Sequence, residues 1–185
     1  MITVAIILIV AALTVPTIMT QVYSVRLKYS ATDLSGLLQR ARMEAVRKNT
    51  FYSVQTVAGN PVEEQVVDKT TTAVASIPPA VMAQSVNVTF GSGSGAPGEA
   101  GFITALNFSG GAASGLGGLP SFNARGLPCV ATGGLTCVST PGQGFVFFLS
   151  GTSGSSGSTG WAAVIVTASG RCQVWTYDGT NWNQQ

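Results

Sequence analysis

The chain has 185 residues, of which 9% are charged, with a formal net charge of +2 and no histidine. That length admits one domain, or one domain with a protruding helix, and so few charges leave little scope for ion-pair networks or a broad cationic surface. The lack of histidine excludes Ser/His and Cys/His nucleophile pairs, a histidine general base and every histidine-containing metal site.

Residues 1–19, MITVAIILIVAALTVPTIM, carry no charge. As a helix rising about 1.5 Å per residue they measure roughly 28 Å, close to the hydrocarbon thickness of a bilayer. Beyond them, apolar residues at Val22, Val25, Tyr29, Leu34, Leu37, Leu38, Ala41 and Ala45 are read as one helical face. The spacing predicts a single helix from the N-terminus to about Asn49. Its opposite face is assigned Arg26, Ser30, Asp33, Arg40, Glu44, Arg47 and Lys48; cations in the last turn suit the negative end of the helix dipole, and Asn49 is a residue that stops helices. Of the 9 cations, Arg26, Lys28, Arg40, Arg42, Arg47 and Lys48 lie in this helix. They read as a solvated face in preference to a nucleic-acid patch.

After the helix the period changes to two. FYSVQTVA (51–58) and PVEEQVVD (61–68), separated by Gly59-Asn60, form a predicted hairpin. SVNVTF (85–90) and FITALNF (102–108) are the next predicted strands, divided by the loop sequence GSGSGAPGEAG. SFNARG (121–126), GFVFFLS (144–150), WAAVIVTAS (161–169) and RCQVWTYDG (171–179) follow, the last two as a hairpin around Ser169-Gly170. Glycine- and serine-rich tracts at 109–120 and 151–160 read as surface loops.

The expected class is α+β: a long N-terminal helix, apolar in its first half and amphipathic in its second, packed on a sheet domain of roughly six to eight strands. Short connections make those strands mostly antiparallel. Residues 1–25 are assigned to the membrane or filament-core helix and 26–185 to the globular domain. Phe145, Phe147, Val164, Val166, Val174 and Trp175 are the expected core or near-core positions.

Cys129 and Cys137 lie in one turn-rich stretch, PCVATGGLTC, and read as a disulfide, which belongs in an oxidising compartment. Cys172 is an alternative partner for either, and three buried thiols are the plain structural alternative. A metal site lacks a close ligand pair and a fourth ligand. Enzyme candidates are poor. Adjacent Glu63 and Glu64 on a strand point to opposite faces, Glu99 sits in a loop without supporting residues, and Asp178 is the other candidate. Trp161, Trp175, Tyr177 and Trp182 would make an aromatic surface for sugars, yet such residues more often cover a core. No catalytic residue, cofactor or metal is assigned. The glycosylation patterns Asn87-Val88-Thr89 and Asn107-Phe108-Ser109 fall in predicted strands.

The segment Leu37-Leu38-Gln39-Arg40-Ala41-Arg42-Met43-Glu44-Ala45-Val46-Arg47-Lys48-Asn49 resembles the helix end of the GspH/FimT group of type IV pilin-like proteins. SFNARG at 121–126 is similar to that group's Phe-Asn-x-x-Gly segment, and VIVTASGRCQ at 164–173 to its closing hairpin. The resemblance implies a minor pseudopilin of a type II secretion system or a minor pilin of a type IV pilus, assembled with other pilin subunits through the N-terminal helix. It implies a single-pass bacterial inner-membrane protein before assembly, its sheet domain periplasmic or in an extracellular filament. Pro16 then falls at the group's helix-loosening proline. The group's basic leader, Gly-Phe junction and early glutamate are not in this sequence, so the chain is expected to begin a handful of residues earlier. The alternative from the same resemblance is a DNA-binding minor pilin for DNA uptake. Its relatives carry Gly-Arg-x-Arg where this chain has Gly170-Arg171-Cys172-Gln173, leaving Arg171 and Arg125 as the candidate DNA contacts.

Overall fold

The computed structural model describes residues 2–57, 63–69, 81–83, 88–91, 95–109, 111–114, 120–132, 136–152 and 159–185, with side chains of the N-terminal helix described from Gln21 onward. The side chains of the apolar run 1–19, Pro16 among them, therefore lie outside the described set, as does Asn87. Among the described residues no helix is long and apolar enough to cross a membrane.

The class is α+β. Helix α1 spans Ile2–Lys48 and ends where expected. Asn49 takes the left-handed conformation at φ 52°, the N–H of Thr50 reaches back to the carbonyl of Ala45, and that of Asn49 to the carbonyl of Val46. These paired bonds are a Schellman cap, with Asn in the place usually held by Gly.

Among the described residues twelve strands follow: β1 Tyr52–Val57, β2 Glu63–Asp68, β3 Val81–Ala83, β4 Val88–Gly91, β5 Ala112–Ser114, β6 Pro120–Phe122, β7 Pro128–Thr132, β8 Thr136–Val138, β9 Gly144–Thr152, β10 Thr159–Val166, β11 Cys172–Tyr177 and β12 Trp182–Gln184. They build two sheets, ordered β3-β2-β1-β6-β7-β8 and β12-β11-β10-β9-β4, with β5 also on β9. The expected hairpins form: β1 pairs antiparallel with β2, from Tyr52 opposite Asp68 to Val57 opposite Glu63, and β10 with β11. One pairing departs from the antiparallel rule. Strand β5 lies parallel to β9 at Gly144–Val146, while β4 lies antiparallel to β9 at Phe148–Gly151, so two short strands share one edge of β9.

One buried cluster takes in Leu27, Ala31, Leu34, Leu37, Leu38, Ala41 and Ala45 of α1. With them are Tyr52 and Val54 of β1, Val88 of β4, Phe122 of β6, Phe145, Phe147 and Leu149 of β9, and Ala162, Val164 and Val166 of β10. Alternation along β9 and β10 sends the intervening residues to the other face. There Val146, Phe148, Ala163 and Ile165 join Ala96 and Phe102 in a second cluster. Because both faces of this sheet are buried, β9 reads as a nearly continuous apolar run. Of the expected core, Phe145, Phe147, Val164 and Val166 are buried, whereas Val174 and Trp175 are partly buried against the first and second clusters respectively.

Two expectations are corrected. FITALNF is not a strand: helix α2 spans Glu99–Ala105. Phe102 and Leu106 are one helical turn apart and both pack on the second cluster, so tertiary packing overrides the strand preference of Phe102 and Ile103. Glu99 accordingly opens a helix instead of standing in a loop, and Asn107 is exposed just beyond it at φ 48°.

The second correction concerns α1. Val22, Val25 and Tyr29 are 43, 47 and 66% exposed, while Ser30, assigned to the solvated face, is buried. The reason is geometric. Tyr29 to Leu34 is a five-residue step, which swings about 140° past one full turn and so crosses the helix.

Leu38 has no exposed surface, and an unpaired carboxylate there costs several kcal/mol, comparable with a domain's whole margin. Leu38→Asp is expected to abolish cooperative thermal unfolding in circular dichroism. Met43→Asp, on the exposed side of the same helix at 65%, is expected to melt like the parent.

Candidate functional site: a joint between the helix and two hairpin turns

The turns joining β6 to β7 and β10 to β11 are built alike. In the first, the N–H of Asn123 donates to the carbonyl of Leu127 (3.0 Å) and that of Gly126 to the carbonyl of Asn123 (2.8 Å). Asn123 Oδ1 accepts from the N–H of Leu127 at 3.1 Å and of Arg125 at 2.9 Å. In the second, the N–H of Thr167 donates to the carbonyl of Arg171 (2.9 Å) and that of Gly170 to the carbonyl of Thr167 (2.7 Å). Thr167 Oγ1 accepts from the N–H of Arg171 at 3.1 Å. In both, the fourth residue is glycine at positive φ, 72° for Gly126 and 78° for Gly170, the left-handed position that a three-residue hairpin loop requires.

These turns come from different sheets and abut: a Cβ on Gly170 would collide with the carbonyl oxygen of Gly126. Arg42 of α1 holds both. Its Nε donates to the Gly126 carbonyl at 3.0 Å and its Nη2 to the Ser169 carbonyl at 3.2 Å. A Cβ on Gly126 would sit 3.0 Å from Arg42 Nε and 3.1 Å from Val46 Cγ2, so Gly126 also gives room for this approach. The planar guanidinium fork suits the task, because two donors in one plane fix two acceptors from separate segments.

Arg125 and Arg171, the candidate anion contacts, sit on these two turns, each adjacent in sequence to one of the abutting glycines, and both side chains are exposed. Sequence spacing gave no sign that their two turns would touch. Arg42 was legible only as one cation among six on the helix; its partners lie 84 and 127 residues away. The three sequence segments that carried the family resemblance thus meet at Arg42.

The remaining candidates fall elsewhere. Cys129 and Cys137 form a disulfide across the β7–β8 pair, Cα atoms 5.5 Å apart, with Cys129 buried. Cys172 is a free thiol, pushed up to about 11 by burial, with the nearby Arg42 charge pulling the other way. Asp178 is a turn cap: it accepts from the N–H groups of Thr180 and Asn181 and from Asn183 Nδ2, which hold its carboxyl below the usual range. Glu64 is buried in β2. Trp161, Trp175 and Trp182 pack on the second cluster, Trp182 stacking on Phe102 at 4.7 Å and donating its Nε1–H to the Pro97 carbonyl at 3.0 Å. They cover a core. Among the described residues no group of three His, Cys, Asp or Glu side chains could hold a metal. Comparison with known proteins found no matching family model, curated protein or solved structure.

Two measurements bear on the joint. Gly170→Ala forces both a strained φ and a clash, and Arg42→Gln leaves the two carbonyls without their shared donor; each is expected to destabilise by about 1–3 kcal/mol in urea unfolding. Alkylation follows the thiolate, so with Cys172 near 11 against an ordinary 9.0, iodoacetamide should label it about 100-fold more slowly in the native than in the urea-unfolded protein below pH 9. The native rate should climb until the pH passes about 11, and Arg42→Gln should slow it further at neutral pH.

Proposed function

We propose that this chain is a filament-forming structural subunit, a minor pilin or pseudopilin of a type IV pilus or type II secretion pseudopilus. The observation that carries the reading is the division of α1. Among its described side chains the core contribution begins at Leu27, while Val22, Val25 and Tyr29 are exposed. In sequence they follow the uncharged run 1–19, and among the described residues these three belong to neither core cluster. Apolar surface of this kind is stable in lipid or against another subunit's helix, since exposure costs about 25 cal/mol per Å². Assembly is then an exchange of lipid for neighbouring helices, with Pro16 weakening the helix locally. The disulfide supports a sheet domain outside the cytoplasm, and the joined helix-end, Phe-Asn-x-x-Gly and Gly-Arg segments support the pilin-like resemblance.

In cells that carry an assembly system, Val25→Asp with Tyr29→Asp should leave the domain folded and remove the protein from sheared filament fractions. Deleting roughly the first 25 residues, a span set by bilayer thickness, should give a soluble, folded monomer that does not assemble. An aggregating truncation together with a normally folded Leu38→Asp protein would place the apolar run in the globular core and end this reading.

A second reading is a DNA-binding subunit, favoured by Arg125 and Arg171 standing on abutting turns. Against it, useful phosphate affinity takes several cations. Gel shifts at physiological salt should show at most weak binding; submicromolar binding lost in Arg171→Ala would make this the leading function.

A further inference from the structure

Beside the joint, Gln39, Arg42, Met43, Val46 and Arg47 line a groove of about 450 Å³ on the outer side of α1. Met43 and Val46, 65 and 52% exposed, give it an apolar floor. The β6–β7 turn borders it, because Gly126 approaches both Arg42 and Val46. An exposed apolar floor rimmed by polar residues is a feature of contact sites.

The lining of this groove includes two cations, Arg42 and Arg47, and no carboxylate. Among the described residues Arg42 bonds two neutral carbonyls and no carboxylate, although it is partly buried. Arg125 and Arg171 are exposed at the flanking turns. Glu44, the carboxylate nearest in sequence on this end of α1, is taken by Arg47 at 2.6 Å. Among the described residues none of Arg42, Arg125 and Arg171 has a carboxylate partner.

We propose that this surface docks an extended acidic segment of a different protein chain, one apolar side chain lying over Met43 and Val46 and carboxylates reaching Arg125 and Arg171. Guanidinium groups pair with carboxylates in bidentate fashion, and an apolar floor beside cations favours a peptide over a phosphate backbone, which has nothing to place on methionine and valine. A second copy of this chain is a poor occupant. Its exposed carboxylates among the described residues are Asp33 and Asp178, and Asp178 is already engaged by three donors of its own turn. The inference does not depend on the filament reading: docking and assembly are lost by different substitutions.

The test uses the full chain in zwitterionic nanodiscs and fluorescence anisotropy of a labelled peptide, Gly-Glu-Leu-Glu-Phe-Glu-Gly. Three further arms are a control with serine for leucine and phenylalanine, a short DNA duplex, and empty nanodiscs. The expected result is saturable binding, weakened about 10-fold by Arg171→Gln and by Met43→Ser, and about 10-fold weaker for the serine peptide. Both substituted positions are exposed, so unchanged thermal unfolding will show that the variants fold. Three outcomes would overturn the proposal: no binding at millimolar peptide, equal binding of the serine peptide, or binding insensitive to Met43→Ser. Tighter binding of the duplex than of the peptide would also overturn it and assign the arginines to nucleic acid.

Discussion

Two sheets, with no ladder joining them among the described residues, share a single apolar surface, the face of α1 that carries Leu34, Leu38, Ala41 and Ala45. Tyr52, Val54 and Phe122 come to it from one sheet; Phe145, Phe147, Val164 and Val166 come from the other. Fully burying a leucine or phenylalanine contributes about 1.5–3 kcal/mol, so this stripe supplies much of what holds the sheets together. Alanine at 31, 41 and 45 has no bulk to hold the strands away, which lets the helix backbone lie close to the aromatic face of β9. Arg42 stands a quarter-turn or less from that stripe. Its two carbonyl partners can be reached only because the packing has already brought both sheets to the same side of the helix.

Those parts of the fold that depend on local pattern were legible in the sequence. Asn49 ends α1 as its chemistry requires, β1 pairs with β2 across the Gly59-Asn60 stretch, and β9, β10 and β11 fall where period-two or continuous apolar runs place them. What was not legible depends on partners far along the chain. Helix α2 contains Phe102, Ile103 and Thr104, which prefer strands, and forms with Phe102 and Leu106 covering the back of a sheet. Strands β3, β5 and β12 are three residues each, too short to carry a period. The exposure of Val22, Val25 and Tyr29 was readable in principle, since the five-residue step after Tyr29 breaks the stripe.

The joint illustrates the same limit. Each turn announces itself through a side chain that caps the loop and a glycine that closes it, Asn123 with Gly126 and Thr167 with Gly170. Nothing in either segment says that the two loops touch, or that an arginine on the helix bonds one carbonyl from each. That relation is set by the helix core, and it turns three separately unremarkable segments into one surface. The nearby thiol of Cys172 reports on it, because burial and the Arg42 charge act on that thiol in opposite directions.

The edges of the first sheet carry a further consequence. An open strand edge invites pairing with other chains, and proteins commonly guard it with charge. A chain with 9% charged residues has little to spend there. Instead its outer strands β3 and β8 are three residues long, and β8 is stapled to β7 by the Cys129–Cys137 bond. An edge that short offers an incoming strand two or three rungs at most, and the staple keeps β8 from peeling back to expose the longer β7. Reduction of that bond would therefore be felt first as stickiness between molecules, before any loss of the core.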